Sequence, residues 1–198
     1  MAILKIAKMG HPVLRRRSDP VANPGSPEVA RLVADMLETL EDADGAGLAA
    51  AQVHVPLRVV MFHVPAGHDD DDNEPEPVPL IVLVNPEVEI LTEEMETDWE
   101  GCLSVPGLIG AVPRYTAVRY RGTTPEGEAI DHEVQGFHAR VVQHECDHLD
   151  GILYPQRMID LSLLMFQDQM RYGPPRHEED GEELDEATGE QAVAEETA

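Results

Sequence analysis

The stretch Gln143-His144-Glu145-Cys146-Asp147-His148-Leu149 carries the pattern HExxH. In an α-helix, residues four apart lie on one face, one turn apart, so the imidazoles of His144 and His148 can bind the same metal ion. Glu145 lies beside them, where its carboxylate can exchange protons with a metal-bound water. The pattern therefore predicts a helix over about 135–150 and a divalent-metal hydrolase.

The composition of the chain limits the classes of partner that we expect it to bind. The chain has 198 residues, enough for one domain with a substantial core, and a formal net charge of −25. Nucleic acids and anionic membranes bind basic surfaces, so we expect no specific nucleic acid and no membrane among the partners. The N-terminal residues lack the pattern of an export signal. With Cys102 and Cys146 as the only cysteines, we expect reduced thiols, a cytoplasmic location and a monomer.

The acidic residues are concentrated in two segments. Residues 69–76 include six of them, and residues 178–198 include ten with no Lys or Arg. Such composition favours disorder over a packed core. We therefore predict a catalytic domain over 1–172 and an acidic, disordered tail over 173–198. The sequence assigns no role to the tail or to the acidic loop 68–79.

The remaining chain predicts an α+β fold. Ser26, Pro27 and Glu28 are typical of a helix start, and the apolar residues that follow at helical spacing extend that helix to about Asp42. We expect short, mostly antiparallel strands packed around a central helix that carries the HExxH motif. The expected strands and the expected final helix are 57–64, 80–91 with a break at Asn85-Pro86, a hairpin of 115–121 with 128–134, and a short helix over 158–171.

The third metal ligand has to come from outside the HExxH motif. Downstream, Tyr154 stands where a metzincin protease would have its third His, and neither Asp150 nor Asp160 lies in a recognisable motif. Upstream, Cys102 offers a thiolate, which is a good zinc or ferrous ligand. Cys146 follows His144 by two residues and therefore points about 200° away around the helix.

We therefore assign Cys102, His144 and His148 as ligands with water in the fourth position. Three protein ligands and one water are typical of a catalytic site, whereas a structural zinc site is closed by four ligands. A further stretch, 45–52, is rich in Gly and Ala, which allows another backbone to approach closely. It ends at Gln52, whose side-chain amide can donate to a carbonyl oxygen or an oxyanion.

Three motifs together resemble the peptide deformylase family. They are GAGLAAAQ at 45–52, EGCLS at 100–104 and QHECDHLDG at 143–151, in that order. The resemblance extends over about 1–170 and excludes the acidic loop and the tail. It implies a hydrolase that removes the formyl group from N-terminal formyl-methionine of nascent polypeptides and releases formate. The implied metal is Fe²⁺, with Zn²⁺, Ni²⁺ or Co²⁺ possible in its place.

The resemblance also implies roles for individual residues. Glu145 would take a proton from the attacking water and pass it to the leaving amine. The amide of Gln52 and the backbone N–H of Leu103 would stabilise the oxyanion. The substrate would lie extended beside Gly45–Gly47 and Gly107–Gly110. Its Met side chain would enter a pocket lined by Ala46, Phe137 and Val141.

Several residues near these motifs have more ordinary expected roles. We expect packing roles for Cys146 and Trp99, structural contacts for Glu100 and Arg114, and local capping or orientation of a His for Asp147.

One alternative function is a zinc endopeptidase, which would not need Cys102. Another is a catalytically inactive module that binds nascent N-termini, which would not need Glu145 or Gln52.

Overall fold

Two antiparallel sheets and two α-helices form the described part of the chain, residues 2–64 and 77–173 of the computed structural model. The larger sheet has the order β1-β2-β3-β6-β7 and the smaller one β4-β5-β8. Every neighbouring pair of strands in both sheets is antiparallel. The strands are β1 Gly47–Ala49, β2 Val59–Val64, β3 Val78–Ile90, β4 Met95–Gly101, β5 Leu108–Tyr115, β6 Ala117–Thr123, β7 Ala129–Gln135 and β8 Leu164–Phe166.

Helix α1, Pro27–Asp42, forms as its sequence predicts. The Ser26 hydroxyl accepts a hydrogen bond from the Val29 N–H at 3.3 Å, which satisfies one of the free donors of the first turn. Its apolar face contributes Val29, Leu32, Met36 and Leu40 to a core shared with β1 and β2. Helix α1 therefore has the packing role that its sequence predicts.

Helix α2, Gly136–Leu149, carries the sequence HECDH at 144–148. Ten of its 14 residues are buried. One side of the helix packs on the larger sheet through a core that includes Ala139, Val142 and Leu149. Another side reaches the smaller sheet, where the Arg140 guanidinium donates to the Val112 carbonyl oxygen of β5 at 2.8 Å. Helix α2 therefore contacts both sheets.

Two predictions about the secondary structure are wrong. The expected helix over 158–171 is instead a 3₁₀ helix Leu161–Leu163, the strand β8 and a 3₁₀ helix Gln167–Tyr172. The break expected at Asn85-Pro86 is a change of register within one continuous strand, β3. Asn85 has φ 53°, a conformation that Asn tolerates well, and its side chain bonds the backbone of Val21.

Strands β4 and β5 were not predicted, although β4 leads directly into Cys102. Of the predicted acidic loop 68–79, residues 68–76 lie outside the described part of the chain, and Val78 and Pro79 belong to β3. The predicted tail lies outside it from residue 174 onward. Among the described residues, no helix has the length and apolar character needed to span a bilayer.

Candidate active site

Cys102, His144 and His148 bring three potential metal-ligand atoms within 4.8 Å of one another. The Cys102 Sγ lies 3.4 Å from the His148 Nε2. In a tetrahedral zinc site, bonds of about 2.3 Å to sulfur and 2.1 Å to nitrogen place these atoms about 3.5 Å apart. One thiolate and two imidazoles also suit a borderline-soft divalent ion. The arrangement therefore fits a metal with three protein ligands.

Glu100 holds His144 in a defined orientation. The His144 Nδ1 lies 2.8 Å from the Glu100 Oε2, so the Nδ1–H donates to the carboxylate and the Nε2 remains available to a metal. The Arg114 guanidinium donates twice to Glu100, at 2.8 and 3.0 Å, and Arg140 donates once at 3.0 Å. Burial works to raise the pKa of Glu100, but the hydrogen bonds from Arg114 and His144 outweigh it and lower that pKa to about 2.

Arg140 is a residue of this site that the sequence analysis missed. Its guanidinium also donates to the backbone carbonyls of Val112 and Glu96, each at 2.8 Å. It thus joins α2 to β4 and β5 beside the metal ligands. One signal could have indicated it, because Arg140 precedes His144 by four residues and so lies on the same face of the helix.

Glu145 is buried against the backbone of β1. It is 5% exposed, and its Oε2 has no hydrogen-bond partner among the described residues. A β-carbon at Gly47 would collide with this carboxylate, so a larger residue there would force Glu145 to move. Burial raises the pKa of Glu145 to about 7, against the opposing charge of His144.

Gln52 directs the amino group of its amide toward the ligand Cys102. Its Oε1 accepts a hydrogen bond from the Ala49 N–H at 2.8 Å, which determines the orientation of the amide. The Nε2 lies 3.2 Å from the Ser104 Oγ and 3.5 Å from the Cys102 Sγ. The Ser104 N–H donates to the same sulfur at 3.4 Å.

A cavity of about 500 Å³ lies over these groups. Such a volume is in the range of small-ligand sites. Its lining includes most of the residues predicted for the site. His148, which is 1% exposed, and residues 109–110 of the predicted peptide-binding range are not part of it. The predicted residues in the lining are Gly45, Ala46, Gly47, Gln52, Cys102, Leu103, Gly107, Phe137, Val141, His144 and Glu145.

Comparison with known proteins assigns the family. The chain matches the family model described as polypeptide deformylase over residues 3–163. It belongs to the peptide deformylase family. Peptide deformylase 1 of Nitrosomonas europaea is 51% identical over 168 residues, which cover 85% of this chain and 94% of that protein. Peptide deformylase 1 of Bordetella pertussis is 52% identical over 157 residues, covering 79% of this chain and 88% of that protein.

Solved deformylase structures share the fold. A class I type b peptide deformylase of Acinetobacter baumannii matches with a TM-score of 0.74 and 35% identity, covering 80% of this chain and all of that one (100%). Another structure of that enzyme, bound to Met-Ala-Ser, matches with a TM-score of 0.73 and 36% identity over 79% of this chain and 99% of that one. The deformylase of Ehrlichia chaffeensis matches with a TM-score of 0.73 and 29% identity over 81% and 90% of the two chains.

Two residues within the motif at 143–151 contact groups other than the candidate ligands, and one of them, Cys146, packs in the core as expected. Asp147 was expected to cap the helix locally or to orient a His, but its carboxylate pairs with Arg114 and Arg157, each at 2.6 Å. Cys146 is buried in the core between α2 and the larger sheet. It also borders a larger cavity, of about 830 Å³, whose lining includes none of the three candidate ligands. The larger cavity is therefore separate from the candidate metal site.

Proposed function

We propose that this protein is a metal-dependent hydrolase that removes the formyl group from the N-terminal formyl-methionine of nascent polypeptides. Water adds to the formyl carbon, the carbon–nitrogen bond breaks, and formate and a free amine leave. The observation that carries the proposal is the approach of Cys102, His144 and His148 to within 4.8 Å, with Glu145 and Gln52 on the same cavity. Membership of the deformylase family supports it.

Cys102, His144 and His148 are the residues proposed to hold the metal. The proposed ion is Fe²⁺, and Zn²⁺, Ni²⁺ or Co²⁺ could occupy the same ligands. When bound, a divalent ion supplies Lewis acidity, which makes water nucleophilic near neutral pH. Glu100 supports the ligand set by fixing the tautomer of His144 through the 2.8 Å contact with its Nδ1.

Glu145 is the proposed general base and acid. Its carboxylate borders the cavity and lacks a partner for Oε2 among the described residues, so it can accept a proton from the attacking water. The same carboxyl group then donates that proton to the amine nitrogen as the carbon–nitrogen bond breaks. Burial keeps the group away from bulk water, which favours transfer to the reacting atoms over transfer to solvent.

Gln52 and Leu103 are the proposed donors to the oxyanion. The Gln52 Nε2 already points toward Cys102, since the Ala49 N–H holds the other end of the amide. No hydrogen bond among the described residues uses the Leu103 N–H, and Leu103 borders the cavity. One donor of this kind typically lowers the barrier by about 3 kcal/mol.

The substrate peptide is proposed to extend along β1. This strand is at the edge of the larger sheet, so one side of its backbone is free to pair with an added strand. Gly45–Gly47 and Gly107 both border the cavity. Ala46, Phe137 and Val141 are proposed to hold the Met side chain. The Acinetobacter structure bound to Met-Ala-Ser shows that a relative binds a peptide beginning with Met.

The wider organisation is part of the same proposal. We take residues 1–172 as the catalytic domain, with the acidic segment 173–198 outside it. Helix α2 is proposed as the central helix of the fold, since it is mostly buried and contacts both sheets. The enzyme is proposed to act as a monomer in the cytoplasm, where nascent polypeptides are made.

Formate release from a formyl-Met tripeptide tests the proposal. The protein would be loaded with Fe²⁺ without oxygen, and an acetyl-Met peptide of the same sequence would serve as the control substrate. The expected result is rapid release from the formyl peptide alone, which Glu145→Ala abolishes while the metal content stays unchanged. Absence of release with a full complement of metal would refute the proposal, and cleavage of internal peptide bonds would identify an endopeptidase instead.

A further inference from the structure

A second cavity adjoins the one that holds the candidate ligands. It has a volume of about 710 Å³ and is lined by Gly107, Phe166, Gln167, Asp168 and Gln169. Gly107 and Gln167 line both cavities. The Gln167 N–H donates to the Gly107 carbonyl oxygen at 2.8 Å, so the shared wall is a hydrogen-bonded part of the fold. The two cavities therefore lie next to each other and share part of their lining.

Strand register places Phe166 at a defined distance from the metal ligands. Gly101 of β4 pairs with Ile109 of β5, and Ile109 pairs with Met165 of β8. The next residue after Gly101 is Cys102, and the residue before Ile109, Leu108, pairs with Phe166. Neighbouring strands are about 4.8 Å apart, so Phe166 lies about 10 Å from Cys102 across the sheet. An extended peptide spans that distance with about three residues.

Phe166 lies on the same face of the smaller sheet as Leu108, its partner in β5. Directly paired residues of antiparallel strands point to the same face, and Leu108, the partner of Phe166, lines the catalytic cavity. Phe166 is 62% exposed. It therefore presents a large apolar surface beside the path of the substrate and beyond its first residues.

We propose that Phe166, Gln167 and Asp168 form a downstream subsite for the fourth and fifth residues of the nascent chain, selecting an apolar side chain that packs on the Phe166 ring. The inference rests on the proposed deformylase function. The occupant is the peptide whose formyl-Met lies in the catalytic cavity, because the two cavities share Gly107 and Gln167. Partial burial of one Leu side chain on an aromatic ring corresponds to about a three- to tenfold gain in kcat/KM.

The experiment compares three substrates with the metal-loaded, full-length protein. They are formyl-Met-Ala-Ser and its extensions by Leu-Leu and by Gly-Gly. The Leu-Leu peptide is expected to exceed the Gly-Gly peptide in kcat/KM by about three- to tenfold. Phe166→Thr removes the ring but keeps a good strand former, and it is expected to bring that ratio close to one.

Two further variants identify the cause of any change in the ratio. Phe166→Leu keeps an apolar surface and is expected to retain most of the preference. Tyr172→Thr removes an aromatic side chain that is 74% exposed and is expected to leave the ratio unchanged. For each variant, the kcat/KM values for the Leu-Leu and Gly-Gly peptides are measured on the same sample. Their ratio therefore does not depend on how much of that sample is folded or metal-loaded.

The outcomes separate this inference from the proposed function. Equal rates for the two extended peptides, or a preference that persists in Phe166→Thr, would overturn the downstream subsite. Active hydrolysis of the tripeptide in the same experiment would leave the deformylase function standing. Absence of formate release from all three peptides would overturn both.

Discussion

At the scale of single residues, Glu100 connects the metal ligands to the rest of the fold. One carboxylate, 6% exposed, bonds His144 of the candidate metal set and the buried guanidinium groups of Arg114 and Arg140. Each of these partners is positive or becomes so on protonation, and a buried cation without a counter-charge is costly. Geometry at the metal and stability of the core therefore depend on the same side chain.

Replacing Glu100 by Gln tests that dependence. The amide cannot accept from His144 as a carboxylate does, and it leaves the positive charges of the two arginines less compensated. We expect metal affinity to fall by about 10- to 100-fold and the free energy of unfolding to fall by about 3 kcal/mol. Competition with a chromogenic chelator measures the first quantity, and urea unfolding of the metal-free protein measures the second.

The control for this variant is Glu126→Gln, which makes the same chemical change at an exposed residue of the β6–β7 turn. It should leave both quantities unchanged. Full metal affinity in Glu100→Gln would mean that His144 is oriented without the Nδ1 contact.

Gln52→Leu separates oxyanion stabilisation from metal binding. Leucine keeps the approximate size of the side chain and removes the amide that points toward Cys102. We expect kcat to fall by about 10²- to 10³-fold, with KM and metal content little changed. Steady-state kinetics and metal analysis on the same sample make the comparison, and a fall in metal content that matches the fall in rate would contradict the proposed role.

The sequence indicated the candidate metal residues more clearly than the residues that support them. HExxH places His144 and His148 on one helix face and the EGCLS motif supplies a thiol, and the structure brings these three residues together. Arg140 gave only the weaker signal of its helical spacing from His144, because its partners include the carbonyl oxygens of residues 44 and 28 positions before it. Such contacts depend on strand pairing, which no local motif encodes.

At the scale of secondary-structure elements, the position of β1 against α2 determines the shape of the site. Gly47 of β1 meets the Glu145 carboxylate of α2 so closely that a β-carbon would collide with it. Two elements far apart in sequence thus approach at the point where the reaction is proposed to occur. The run of small residues over 45–51 is consistent with that approach.

Gly47→Ala should therefore impair catalysis more than folding. The added methyl group would displace Glu145, and a shift of about 1 Å in a reacting group can cost about 10²-fold in rate. We expect a loss in kcat of at least tenfold with the metal still bound. Gly25→Ala is the matched control, since its added methyl group makes only ordinary contacts and should preserve the rate. Equal rates for the two variants would refute the steric argument.

The N-terminus of α1 contributes to stability and not to catalysis. Ser26→Ala removes the hydroxyl that accepts from the Val29 N–H. We expect the free energy of unfolding to fall by about 1 kcal/mol with no change in kcat/KM. Urea unfolding measures the loss, and Ser26→Asp, which retains a capping oxygen, should recover most of it.

Elements with strong local signals were predicted well, including α1 and the hairpin of β6 and β7, whereas β4, β5 and β8 were not predicted. Helix α1 has a Ser cap and one apolar face, and its predicted end agrees with the structure. Strand β4 has three acidic residues and an exposed face, so its sequence resembles a loop until it pairs with β5. Residues 164–166 are all apolar, a pattern too short to distinguish a helix from a strand, and hydrogen bonding to β5 makes them a strand.

At the scale of the whole molecule, a bound metal should stabilise the fold. Its three proposed ligands join α2 to the segment after β4, so the ion would cross-link two parts of the chain that the unfolded state does not hold together. An ion present at about 100 times its dissociation constant adds about 2.7 kcal/mol. For a chain of this size, that corresponds to a rise in Tm of roughly 5–10 °C.

Differential scanning calorimetry of metal-stripped and Zn²⁺-loaded protein measures this rise. The Cys102→Ser variant should show a much smaller rise, because a hydroxyl group is a poor ligand for zinc. An equal rise in both proteins would mean that Zn²⁺ binds elsewhere or that another group replaces the thiol.

The shortness of β1 also bears on the behaviour of the protein at high concentration. A free strand edge is a template on which other chains can add as strands, and this makes it a risk for aggregation. One edge strand of the larger sheet, β1, is three residues long, and its Leu48 and Ala49 are fully buried (0% exposed). So short an edge offers few backbone groups to the strand of a folded neighbour. At β1 we therefore expect a single extended segment to pair more readily than a second folded sheet, and a nascent polypeptide is such a segment.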